Sequence, residues 1–147
     1  MMTVLNTSDA INVAGEAKEL RESLSKAVEA IRSSATEEEF DGMAIEFRLP
    51  KEDDWGTLLL QGRFCHVTFS FDVEYVVKTQ HGDSHLSALV RVSVGEEGLF
   101  DFEVTPWGRA FNGAGWDVDF YRQPARFSKS VMREISAKIT ISTLRSI

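Results

Sequence analysis

From Phe64 to Lys78 the chain alternates strictly, with Cys65, Val67, Phe69, Phe71, Val73, Tyr75 and Val77 on one side and His66, Thr68, Ser70, Asp72 and Glu74 on the other. A period of two sends successive side chains to opposite faces of an extended backbone, so the run predicts a long strand with one buried face. Such a strand needs hydrogen-bonded neighbours and an apolar layer against its buried side, which excludes an all-helical fold.

The neighbours are legible on both sides. After the polar cluster Thr79 to His85, the residues Leu86, Ala88, Val90, Val92 and Val94 supply another buried face, and matching the two faces sets Asp72 opposite Arg91. Upstream, an acidic turn from Thr36 to Gly42 precedes alternating Met43, Ile45, Phe47 and Leu49, which Pro50 ends. A loop from Lys51 to Gly56 leads to Thr57-Leu58-Leu59-Leu60, and Gly62 marks a turn or a bulge. Gly95-Glu96-Glu97-Gly98 reads either as a hairpin turn or as a bulged kink in one long strand. As a hairpin, it sets Glu103 beside Arg91 when the buried residues are aligned.

Next comes a strand from Leu99 to Val104, in which Phe100, Phe102 and Val104 can face Trp116, Val118 and Phe120 across a second hairpin. That pairing gathers Asp101, Glu103, Asp117 and Asp119 on the opposite side. Like charges facing each other on antiparallel strands oppose pairing, so this face suits a cationic partner better than it suits stability. A plain solvated outer face is the alternative. Between the two strands, residues 105–115 form a glycine-rich loop that holds Trp107, Arg109 and Phe111. Exposed loop aromatics anchor partners, although these two could instead fold back as a cap over the sheet end.

Helices flank the strands. From Ser8 to about Ser33, apolar residues at Val13, Ala17, Leu20, Leu24, Ala27, Val28 and Ile31 follow the three-and-four spacing of an amphipathic helix, with Ser8 as N-cap and Gly15 as a local weakness. After Pro124 the spacing returns at Phe127, Val131, Ile135 and Ile139, with Lys129, Arg133 and Lys138 outward. That helix weakens at Thr140-Ile141-Ser142-Thr143, where β-branched residues gather. The expected architecture is one α+β domain over residues 1–147. Its antiparallel β-meander carries an N-terminal amphipathic helix and a C-terminal helix on its apolar face.

Charge narrows the choice of partner. Arg122, Arg126, Lys129, Arg133, Lys138 and Arg145 against Glu134 give residues 122–147 a charge of +5, so the overall −7 leaves −12 for the residues before them. An acidic body disfavours nucleic-acid phosphate, whose binding rests on Lys and Arg, and favours basic proteins, cations or plain solubility. No apolar run approaches the roughly 18 residues that span a bilayer, and the start lacks a basic segment followed by an apolar one. A soluble cytoplasmic protein is expected, and the single Cys65 fits a reducing compartment.

Chemistry finds little purchase. Gly108 to Gly115 resembles a phosphate loop only superficially, because Ala114 and Gly115 stand where lysine and Ser/Thr belong. His81-Gly-Asp-Ser-His85 reads as a solvated turn rather than a metal site, and the four carboxylates on a strand face lack the backbone carbonyls that complete a calcium shell. Cys65, on the buried side of the most apolar strand, reads as a small core hydrophobe. We therefore expect no catalytic residue, metal or cofactor.

Taken together, Val67-Thr-Phe-Ser-Phe-Asp-Val, Ala88-Leu-Val-Arg-Val-Ser-Val, Gly98-Leu-Phe-Asp-Phe-Glu and Val131-Met-Arg-Glu-Ile-Ser resemble the SecB family of export chaperones and their toxin–antitoxin relatives. The chain differs from that pattern in opening with a helix and in residues 105–123, which look inserted. The resemblance implies a small acidic protein that holds unfolded or antitoxin clients on apolar grooves without ATP, usually as a tetramer. A second reading, from charge and aromatics alone, is an inhibitor of one basic partner, such as a toxin immunity protein or a phage anti-defence protein. In that reading Trp107, Arg109 and Phe111 anchor the partner while Asp101, Glu103, Asp117 and Asp119 steer it.

Overall fold

A computed structural model describes residues 7–34, 46–48, 58–113 and 115–147. The fold is α+β, with a seven-stranded antiparallel sheet whose strands lie in sequence order. These are β1 (Glu46–Arg48), β2 (Leu58–Phe64), β3 (Val67–Gln80), β4 (Asp83–Val94), β5 (Glu97–Val104), β6 (Arg109–Phe111) and β7 (Asp117–Asp119). Helices α1 (Thr7–Gly15) and α2 (Ala17–Ser34) precede the sheet, and α3 (Pro124–Thr143) follows it. The expected acidic turn at 36–42 and the loop at 51–56 lie outside the described residues, as do the ends of the first strand.

Tight turns decide the strand boundaries. Cys65 and His66 both take positive φ, 49° and 67°, and His81 and Gly82 do the same at 54° and 83°. Two successive residues in that region make the two-residue hairpin turn whose twist matches the strands on either side. The long strand expected from Phe64 therefore begins at Val67, and Cys65 is exposed in a turn rather than buried on a strand face. Gly62 is neither turn nor bulge: it sits mid-strand between Phe47 and Phe69, while the irregularity in β2 falls between Leu58 and Leu60.

On β3 the buried stripe covers Phe69, Phe71 and Val73 but stops there, leaving Tyr75 and Val77 over 40% exposed (42% and 43%). The helices rest on β4, β5 and β7 more than on β3. Asp72 does face Arg91. Gly95 and Glu96 form a hairpin turn, with Gly95 at φ 60°, so β5 starts at Glu97. Its register with β4 shifts between Val92 and Ser93, and Asp101 rather than Glu103 lands opposite Arg91. Only two residues are spent on the turn instead of four, and the strand slides accordingly.

The larger correction concerns the second hairpin. β5 and β7 do not pair with each other, because Arg109–Phe111 inserts between them as β6. Thr105 makes this strand: its amide donates to Arg109 O at 2.9 Å and its hydroxyl accepts from the Arg109 amide at 3.2 Å, reversing the chain within four residues. The predicted division of faces survives, since Phe102, Val104, Val118 and Phe120 are buried while Asp101, Asp117 and Asp119 are exposed.

Beneath the sheet, α2 and α3 pack on the apolar face and on each other. Leu20, Leu24 and Ile31 meet Phe127, Met132, Ile135 and Ile139 there, all buried. Phe127 links the layers, its ring 5.9 Å from Phe102 and 5.0 Å from Phe120. The helix expected from Ser8 to Ser33 is broken at Glu16. α3, by contrast, continues through Thr143, with the Thr140 and Thr143 hydroxyls donating back to Ser136 O and Ile139 O at 2.6 and 2.7 Å.

Candidate functional site

One face of the sheet carries the helices; among the described residues no helix packs on the other, and β6 divides its rim. An open groove of about 1160 Å³ runs there, lined by Lys78 and His85 from β3 and β4, Glu103 from β5, the Thr105–Trp107 turn, and Arg109, Phe111, Asp117 and Asp119. Six of the seven residues expected to bind a partner therefore stand together; Asp101 lies farther along β5. Trp107 remains 54% exposed instead of folding back as a cap. Phe111 lies half-buried on the outer face of β6.

Glu103 and Asp117 each have a cation of their own. Arg109 forks onto Asp117, its Nε 2.7 Å from Oδ1 and its terminal nitrogen on Oδ2. That hydrogen bond, ahead of its charge, holds the Asp117 carboxyl below the usual carboxylate range and raises Arg109 in turn. Lys78 Nζ lies 3.1 Å from Glu103, and Arg91 pairs with Glu74 at 3.2 Å. Asp119 is engaged locally: its Oδ1 accepts from the Tyr121 amide at 3.1 Å and the Arg122 amide at 3.3 Å, fixing the turn into α3. Among the described residues, no three His, Cys, Asp or Glu side chains are grouped to hold a metal ion.

Two contributors escaped sequence reasoning. Glu16, at the break between α1 and α2, accepts from the Leu86 amide at 2.8 Å and meets His85 Nδ1 at 2.9 Å. β5 pairs with β4 no farther than Ala88, so the carboxylate takes over where the neighbouring strand has ended. Its position 69 and 70 residues from its partners leaves no local signal. His85 then stands edge-on to Trp107, ring centroids 5.0 Å apart, and α2 adds a tie from Ser23 Oγ to Thr105 O at 2.7 Å. The other contributor is Gly108, at φ 86°, whose backbone runs so close to Tyr121 that a Cβ there would come within 2.5 Å of the ring.

Comparison of the chain with protein-family models, with curated proteins and with solved structures finds no match. No helix among the described residues is long and apolar enough to cross a membrane.

Proposed function

We propose that this chain is a non-enzymatic binding protein that grips one basic partner through the outer groove beside β6. The observation that supports this reading is the grouping of exposed Trp107 and half-buried Phe111 with the Glu103 and Asp117 carboxylates. Aromatic anchors in a desolvating groove carry affinity, while surrounding charge sets approach and orientation. The groove lies open along the sheet surface, unlike the clefts that bury most of a small ligand, which favours a protein surface as occupant. An acidic inhibitor, of the kind that toxin immunity and phage anti-defence proteins represent, has these properties. The reducing interior of the cell is the compartment we assign to it, in keeping with exposed, unpaired Cys65.

A SecB-like holdase remains the competing proposal within the same class. It calls for broad apolar surface, whereas the apolar face of this sheet is occupied by α2 and α3. The deciding experiment compares the wild-type protein with Trp107→Asp and Phe111→Asp, each checked for folding by circular dichroism. Immobilised wild type exposed to lysate of its native cells should retain a basic protein at low salt, and both variants should lose it. Equal capture by all three would overturn the groove assignment. If the wild type and both variants equally suppress aggregation of an unrelated unfolded protein, and light scattering gives a tetramer, the holdase reading replaces this one.

A further inference from the structure

The cross-strand register lines up one residue from each of five strands on the open face: Glu74, Leu89, Glu103, Phe111 and Asp117. Carboxylate and apolar side chain alternate along the row. Most neighbouring positions on that face are polar, including Asp72, His85, Ser87, Arg91, Asp101 and Arg109. Leu89 and Phe111 are nevertheless half-buried, with α2 and α3 on the opposite side of the sheet. The intrinsic cations reach the row from outside it, and Lys78, Arg91 and Arg109 are all more than half exposed (57%, 61% and 61%). Glu74 and Asp117 are about half exposed as well (58% and 48%), so those two pairs hold little energy and can be exchanged, whereas Glu103 is 15% exposed and is reached only from the side where Lys78 now sits.

Spacing selects the shape of the occupant. Strands lie about 4.8 Å apart, so the row spans about 19 Å in four steps. An α-helix crossing the strands presents residues i, i+4, i+7, i+11 and i+14 to one surface, covering about 21 Å at 1.5 Å per residue. Flexible Lys and Arg side chains take up a difference of that size. An extended chain places same-face residues about 6.7 Å apart and would overshoot the same four steps by about 8 Å.

We propose that the partner presents a basic amphipathic helix laid across β3–β7, with cations over Glu74, Glu103 and Asp117 and apolar side chains on Leu89 and Phe111. The inference rests on the groove being the binding site and adds the form of what binds there. Its test uses the full chain and a labelled peptide of about 15 residues, with Lys at i, i+7 and i+14 and Leu at i+4 and i+11. A second peptide of the same charge carries two central prolines that break the helix. In fluorescence anisotropy at low salt, the helical peptide should bind about tenfold more tightly than the broken one. Leu89→Ser and Phe111→Ser should each weaken it, as should Glu74→Lys, whose exposed position spares the fold. Equal binding of both peptides, with Phe111→Ser weakening both, would overturn the helix while leaving the groove intact. Helical-peptide binding that is indifferent to Leu89→Ser and Glu74→Lys would overturn the row. If neither peptide binds, the helix inference falls, whereas the groove reading stands or falls by its own capture experiment.

Discussion

Gly108→Ala is the substitution with the clearest structural consequence. Two effects add. At φ 86° an alanine sits in the left-handed region, at a cost of about 1–2 kcal/mol. Its Cβ would also come within 2.5 Å of Tyr121 Cγ and Cδ1. Those atoms belong to the near side of the ring, so the whole side chain must swing away. Swinging out forfeits the edge-on contact with Phe120, whose centroid is 5.4 Å away, and the position 4.4 Å beneath Lys26 Nζ. The two contacts together contribute about 1–2 kcal/mol. The total is about 2–4 kcal/mol, a fall in Tm of roughly 5–15 °C for a chain of this size. Urea unfolding of a double-mutant cycle separates the parts. In a Tyr121→Ala background the ring term vanishes and Gly108→Ala should cost only the backbone term, so the coupling should be about 1–2 kcal/mol. A coupling below about 0.5 kcal/mol, or a single-variant cost that small, would refute the packing argument.

Four further outcomes follow from other parts of the structure. Glu16→Ala should destabilise by about 1.5–3 kcal/mol, because it strips a charged acceptor from the Leu86 amide, and Glu16→Gln should recover part of that loss in denaturant titrations. Carboxyl NMR should place the Asp117 midpoint below about 3.9 and return it upward in Arg109→Gln. Because the folded value is the lower one, the stabilisation is present above the unfolded midpoint and fades as pH drops through the folded one, below about pH 4, with added salt weakening it. The pair Cys65→Asn and His66→Gly should raise stability by about 1 kcal/mol, since both positions hold positive φ in a two-residue turn that prefers those residues. In the parent protein Cys65 should react with a thiol reagent without denaturant.

Period and register were legible to different depths. Alternation on β3, β4 and β5 predicted which side chains face inward, because burial on one face must follow the pleat. Turn geometry was less visible. Cys65 and His66 are poor candidates for positive φ, so alternation alone carries the strand through them; only pairing of Phe64 with Val67 shows the reversal. β6 was hidden because three residues, Arg109 to Phe111, are too few for a period to declare itself among the surrounding glycines. The aromatic and charged residues of the groove were nevertheless recognisable by type. Glu16 was not, since its role depends on where β5 ends, a tertiary fact.

In the proposed complex Arg109 would stand where fold and recognition meet, and that sets how salt should act. In the free protein it holds Asp117, so an incoming cation must share or displace it. Both side chains are about half exposed or more, at 61% and 48%, and the exchange replaces one screened pair by another. Little net affinity comes from such a trade. On the proposed reading, stability of the complex would then come from apolar contact on Phe111, Leu89 and Trp107, while the acidic body would raise the encounter rate. Stopped-flow measurements with the helical peptide should accordingly show association slowing steeply as salt rises and dissociation changing little. Phe111→Ser should do the reverse, raising the dissociation rate at constant association. If salt acted mainly on dissociation, the ion pairs would be net contributors to affinity, and Arg109 could not be the exchangeable cation that its exposure implies.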